Sequence, residues 1–144
     1  MNKAVSAAQA NRAALRRALD HVEHALAVPS RRDNWIEMVL GSLKSLTLEL
    51  DVHVSEVERK GGLFSSIMAQ APQLAATIEQ LRREHDELSS SISDVVSAVN
   101  RAKAADELDE VRRLGLALMG DFVRHRHRGA DLVYDAYAID IGGG

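Results

Sequence analysis

Residues 72–99 read PQLAATIEQLRREHDELSSSISDVVSAV, and their apolar positions return with the period of a helix. Leu74, Ile78, Leu81, Leu88, Ile92, Val96 and Val99 follow one another at steps of three, four and seven. Such steps lay them along one face of a helix turning once every 3.6 residues. A strand would alternate strictly, and no such alternation is sustained here. Pro72 suits the first turn, where its missing N–H is not needed and its ring pre-sets φ. One member of the stripe is polar: His85 lies midway between Ile78 and Ile92, in the middle of the apolar seam.

The same period extends to both sides. Toward the N-terminus, Ser6 with Gln9 resembles a capping box opening a first helix of roughly 20 residues. That helix carries Leu15, Leu19, Val22 and Leu26 and stops before Pro29, and Ser30-Arg31-Arg32-Asp33 follows as a loop. Asn34 with Glu37 gives a second cap signal. The second helix displays Ile36, Val39, Leu43, Leu46, Leu50 and Val57 and ends at Gly61-Gly62, with Leu63 to Gln70 a connector that has room for one helical turn. Toward the C-terminus no Gly or Pro interrupts Asn100 to Ala105. One helix of roughly 60 residues is improbable in a chain this size, so a turn is expected near Lys103. Asp106, Glu107, Asp109 and Glu110 suit the N-terminus of the fourth helix, where acids offset the macrodipole. It continues through Val111, Leu114, Leu118, Phe122, His125 and Leu132. Four long helices with short connections imply an all-α, up-down-up-down four-helix bundle, a single domain spanning 1–144.

Composition narrows the chemistry. Aromatic residues are 3% of the 144, so the core must be aliphatic, which favours helix-on-helix packing. A net charge of −3 offers nucleic acid no electrostatic footing. Cysteine is absent, which removes disulfides, iron–sulfur clusters and thiolate zinc sites and leaves nitrogen and oxygen as metal ligands. The longest apolar runs fall far short of the roughly 18 residues a bilayer span requires, so no membrane partner is expected. No leader-like pattern opens the chain, and the expected location is the cytoplasm.

Three histidines decide the functional reading. His85 and His125 are central in their stripes, the latter seven residues from both Leu118 and Leu132. His53, three after Leu50 and four before Val57, lies toward one edge, with Glu58 on the other edge and Glu56 pointing away. A lone core histidine is usually hydrogen-bonded to a carbonyl or hydroxyl. Three from separate helices can instead be neighbours around one ion, and burial keeps them neutral, the form that ligates metal. His53, Glu58, His85 and His125 make a three-nitrogen, one-oxygen set suited to a single iron, zinc or manganese ion. His21, flanked by Ala14, Ala18 and Ala25, is a further candidate, while His24 faces outward. His127 belongs to a basic strip, Arg124 to Arg128, for which phosphate binding is an unspecific reading.

These segments resemble the hemerythrin-like (HHE cation-binding) family. The matching stretches are His53 through Glu58 with Gly61 to Phe64, Leu81 to His85, Arg124 to Asp131, and the tail from Ala130 through Ile141. The resemblance implies a four-helix bundle holding non-haem iron, with histidines from each helix and bridging carboxylates from the second and fourth. The chain departs from that pattern. Four residues after His53 stands Val57, and four after His125 stands Gly129, whereas Asp131 follows the outward-facing His127. A second ion would need His21 with Asp131 or water, so one ion is expected rather than two.

The expected function is therefore metal binding, with iron favoured by the resemblance, in O2 or NO sensing or in iron handling. Glu84, Tyr134 and Asp135 are candidates for groups that orient the ligands from outside. The alternative is a metal-free bundle that lost its site and serves as an interaction or dimerisation module, with Val133, Tyr134 and Tyr137 as a surface and a homodimer among its outcomes. An enzyme is not indicated: no His-Glu-x-x-His spacing, nucleophile–base pair or phosphate-cradling glycine loop occurs.

Overall fold

Helix α1 (Lys3–Ala27) is followed by α2 (Trp35–Glu58), a short α3 (Leu63–Gln70), a 3-10 turn (Pro72–Leu74), α4 (Ala75–Arg101) and α5 (Ala105–Gly143). The computed structural model describes residues 3–30 and 33–143, with side chains as far as Tyr137. Arg31 and Arg32 of the expected loop, and the side chains of the tail through Ile141, lie outside the described residues. No strand occurs among the residues described, and none of the helices is long and apolar enough to cross a membrane.

The four long helices form a helical bundle in which α1 packs on α2 and α5, and α4 packs on the same two. One end is tied by donors that meet the open carbonyls after α1. Trp35 Nε1 donates to Ala25 O at 3.0 Å, and Arg112 donates to Leu26 O at 2.9 Å and Val28 O at 2.7 Å. Helix termini leave such carbonyls without intrahelical partners, so these bonds satisfy groups that burial would otherwise orphan. The Arg112 guanidinium also lies 5.0 Å over the Trp35 ring, a cation–π contact.

The core divides into two apolar clusters. The larger gathers Trp35, Val39, Leu43, Leu46 and Leu50 with Val22, Leu88, Ile92, Leu118 and Phe122. The smaller gathers Val57, Phe64, Ile67, Ile78, Leu81 and Leu132 with Val5 and Ala8. Every long helix passes from one cluster to the other, and polar residues occupy the crossing. On α2 His53 stands between Leu50 and Val57, on α4 His85 stands between Leu81 and Leu88, and on α5 His125 stands between Phe122 and Leu132.

Most of the sequence periodicity carries through, with local differences. Ser6 lies inside α1, which already begins at Lys3, so it caps nothing. Asn34 holds the N-cap position of α2 without a side-chain cap bond. Trp35, fully buried, takes the inward place expected of Ile36, which is 39% exposed. Val95 rather than Val96 is the buried member of its pair. The turn near Lys103 is present, and Glu107 accepts there from the N–H groups of Lys103 and Ala104 at 3.4 and 3.1 Å. The connector after Gly61-Gly62 is two turns of helix, and Pro72 opens the 3-10 turn ahead of α4.

Glycine matters most where α2 gives way to α3. Gly61 has φ +80°, a region that L side chains rarely adopt, and a Cβ on Gly62 would lie 2.4 Å from Glu56 O and 2.9 Å from Arg59 O. That turn brings Phe64 back beneath the histidines. By contrast, a Cβ on Gly41 in the middle of α2 meets nothing within 4 Å. Chemical denaturation should therefore show Gly41→Ala stabilising by about 0.5–1 kcal/mol, the helix-propensity gain. Gly62→Ala should destabilise by more than about 1 kcal/mol, because backbone atoms must move. Equal midpoints for the two variants would contradict this account of the turn.

Candidate metal centre

His53, His85 and His125 converge in the polar layer, and one ring nitrogen from each lies within 4.8 Å of the others. Their exposures are 7%, 2% and 6%, so all three rings are inside the bundle. Ring centroids stand 5.2 Å apart for His53 and His85, 5.9 Å for His53 and His125, and 4.8 Å for His85 and His125. Phe64 stacks on His85 with centroids 6.0 Å apart, so the α2–α3 turn supplies a wall of the site.

Two carboxylates fix the rings from behind. Glu58 Oε2 lies 2.9 Å from His85 Nδ1, and Glu84 Oε1 lies 2.7 Å from His125 Nδ1. A carboxylate accepts, so each Nδ1 donates, and in a neutral ring the lone pair is then left on Nε2. Each carboxylate is in turn held by an arginine. Arg82 donates to Glu58 Oε1 at 3.1 Å, and Arg128 donates to Glu84 Oε2 at 2.6 Å, with Gln80 Nε2 reaching the same oxygen at 3.2 Å. Histidines that ligate metal commonly carry such a carboxylate on the distal nitrogen, which sets the tautomer and raises ligand basicity.

Two ring nitrogens of the layer are unsatisfied. His85 Nε2 and His53 Nδ1 are buried with no hydrogen-bond partner. An orphaned buried polar group costs about 1–3 kcal/mol, a substantial part of a domain's net stability. Burial holds His53 and His85 at pKa values of about 3 and also lowers His125, although Glu84 opposes that last shift. Burial raises Glu84, but hydrogen bonds from His125, Gln80 and Arg128 outweigh it, and its pKa ends below the usual range. Neutral rings, with the Glu84 carboxylate held ionised behind His125, are protonation states that suit a cation.

A cavity of about 40 Å³ adjoins the three rings, bounded by Arg12, Leu81, Phe122, Gly129 and Leu132. A water needs about 10–15 Å³ by this measure, so there is room for an ion together with a small ligand. Four-coordinate ions with bonds of about 2.1 Å hold donors about 3.4 Å apart, so the donor–donor separations would have to close by at most about 1.4 Å. The donor set and the space fit a cation.

The structure separates the residues expected from the sequence. Glu58 is not among the converging donors; it stands one bond further out, on His85. His21 and Asp131 are exposed, and α5 remains α-helical past Gly129, so no bulge turns Asp131 inward. Tyr134 and Asp135 are exposed and orient nothing in the site, whereas Glu84 does so directly. On α1 the crossing between Ala8 and Leu15 brings Arg12, not a histidine, to the cavity wall. Arg126 lines the same cavity, and Arg128 holds Glu84, so the strip expected to be solvated is partly built into the site. The clue in the sequence was the i+3 spacing from His125 to Arg128, which aligns them on one helical face.

No protein-family profile, curated protein or solved structure matches this chain.

Unfolded imidazoles bind protons near the usual 6.5, whereas His53 and His85 in the fold do so only near 3. Between these values protons favour the unfolded chain, so metal-free protein should lose stability as pH falls through that window. Its melting temperature should be lower at about pH 4.5 than at about pH 7.5, and His53→Leu should flatten the slope. An unchanged slope in that variant would show that His53 is not held neutral by the fold.

Proposed function

We propose that this chain is a hemerythrin-like, up-down-up-down bundle that holds one non-haem metal ion on His53, His85 and His125, for O2 or NO sensing or for handling iron itself. The carrying observation is the buried, unpartnered Nε2 of His85, on a ring that Glu58 fixes from behind and that belongs to a cluster of three histidines with one nitrogen from each within 4.8 Å of the others. A purely structural histidine would spend that nitrogen on a hydrogen bond. The up-down reading is supported by which ends meet. Trp35 at the start of α2 bonds the end of α1, Glu58 at the end of α2 bonds the first turns of α4, and Val5 and Ala8 pack with Leu132 and Ala136.

One ion is favoured over two because, among the described residues, no carboxylate joins the converging set and Arg12 stands where α1 would have to supply a ligand. Imidazole donors suit iron and zinc better than manganese, and the family resemblance puts iron first. The metal-free module keeps one specific support, the exposure of Asp131, which takes the carboxylate expected from the fourth long helix away from the three rings.

Metal content after anaerobic iron(II) loading and gel filtration distinguishes the two readings. Untagged protein should retain about one equivalent, and His85→Ala less than about a tenth. Glu84→Gln should still bind, with affinity lowered by about 10–100-fold, since it acts on His125 from outside. Wild-type protein that retains less than about a tenth of an equivalent of iron, zinc or manganese, with no thermal shift, would leave the metal-free module as the better reading.

A further inference from the structure

The α1 crossing of the polar layer opens outward. Arg12 and Arg16, one helical turn apart and therefore on one face of α1, line both the inner cavity and an outer groove, and Arg126 of α5 does the same. That groove encloses about 670 Å³ and adds Arg17 and His127, with Asp20 its one acidic residue. Four guanidiniums thus face a single carboxylate.

Charge balance marks these arginines off from the others near the site. Arg82 is matched by Glu58, and Arg128 by Glu84. Arg12 is partly buried, and no hydrogen bond or ion pair engages it, Arg16 or Arg126 among the described residues. Burying a guanidinium without a partner is unfavourable, and a planar fork of N–H donors is suited to an oxyanion held by two bonds at once. We propose that the α1–α5 groove is a binding site for a small phosphate-type oxyanion, clamped by Arg12, Arg16 and Arg126 at the mouth of the histidine cavity. The site goes beyond the metal reading and forms without a metal ion. An anion there lies over the passage to the three imidazoles, so it also controls what reaches them.

Calorimetric titration of the metal-free full chain with inorganic phosphate at low ionic strength tests the proposal. Saturable one-site binding is expected, weakened about tenfold or more by Arg12→Gln with Arg126→Gln and weakened by added salt. Asp20→Asn should tighten it, which no merely structural role for these residues would produce. Lys44→Gln, at an exposed position on α2, should leave it unchanged. Arg12→Gln should not lower the melting temperature, because it removes a partly buried charge that no carboxylate among the described residues compensates. Glycerol phosphate as a second probe separates the sources: equal affinity assigns the site to free phosphate, and tighter binding to a phosphate monoester that uses the wider groove. Absence of saturable phosphate binding overturns the proposal, as does binding unaffected by the arginine double variant. Metal retention is measured separately, so failure here leaves the histidine site standing, and failure to hold metal leaves the groove standing.

Discussion

Three uncharged imidazoles have to be kept inside an aliphatic bundle, and most of what distinguishes this structure follows from how that is done. Each ring brings two nitrogens into surroundings that offer few partners, and leaving one unbonded costs about as much as a core hydrogen bond is worth. For His85 and His125 one nitrogen is satisfied by a glutamate from a neighbouring turn or helix, and that glutamate is satisfied by an arginine. His53 has no such relay, and its Nδ1 is buried without a partner. The layer therefore keeps two buried ring nitrogens without a partner, in a cluster where one ring nitrogen from each histidine lies within 4.8 Å of the others.

The two apolar clusters make that arrangement tolerable. Above and below the polar layer the helices meet through Leu, Val and Ile side chains whose burial supplies the cohesion. The tie between the end of α1 and the starts of α2 and α5, through Trp35 and Arg112, fixes one end of the molecule. The α2–α3 turn fixes the other, delivering Phe64 against His85. The two apolar clusters thus flank the polar layer on either side, and the unpartnered nitrogens sit between them.

The layer is not symmetric around the bundle. Three helices contribute imidazole, and α1 contributes Arg12, whose positive charge also helps keep His53 unprotonated after burial and the neighbouring histidines. A guanidinium in that position cannot ligate a metal, and it places a fixed charge on the side where the cavity opens. The proposed cation site on neutral nitrogens and the proposed anion site at its mouth both rest on this asymmetry.

The one-dimensional pattern determined that the chain is helical, that His53, His85 and His125 ride the inward stripes, and that a turn falls near Lys103, because period and breakers act locally. It put Glu58 in the ligand set, whereas in the structure that carboxylate bonds His85 Nδ1 from outside the converging nitrogens, a difference set by the offset between helices that no local pattern encodes. It favoured His21 on helix one for its alanine flanks, yet the register of α1 against its neighbours turns that residue to solvent and brings Arg12 in instead. Of the three outer groups it offered, Glu84 is the one that bonds a ring, whereas the places of Arg126 and Arg128 were decided only by tertiary packing. A charged residue on a solvated face and one folded over a neighbouring helix have the same local signature, and only the distance between helices tells them apart.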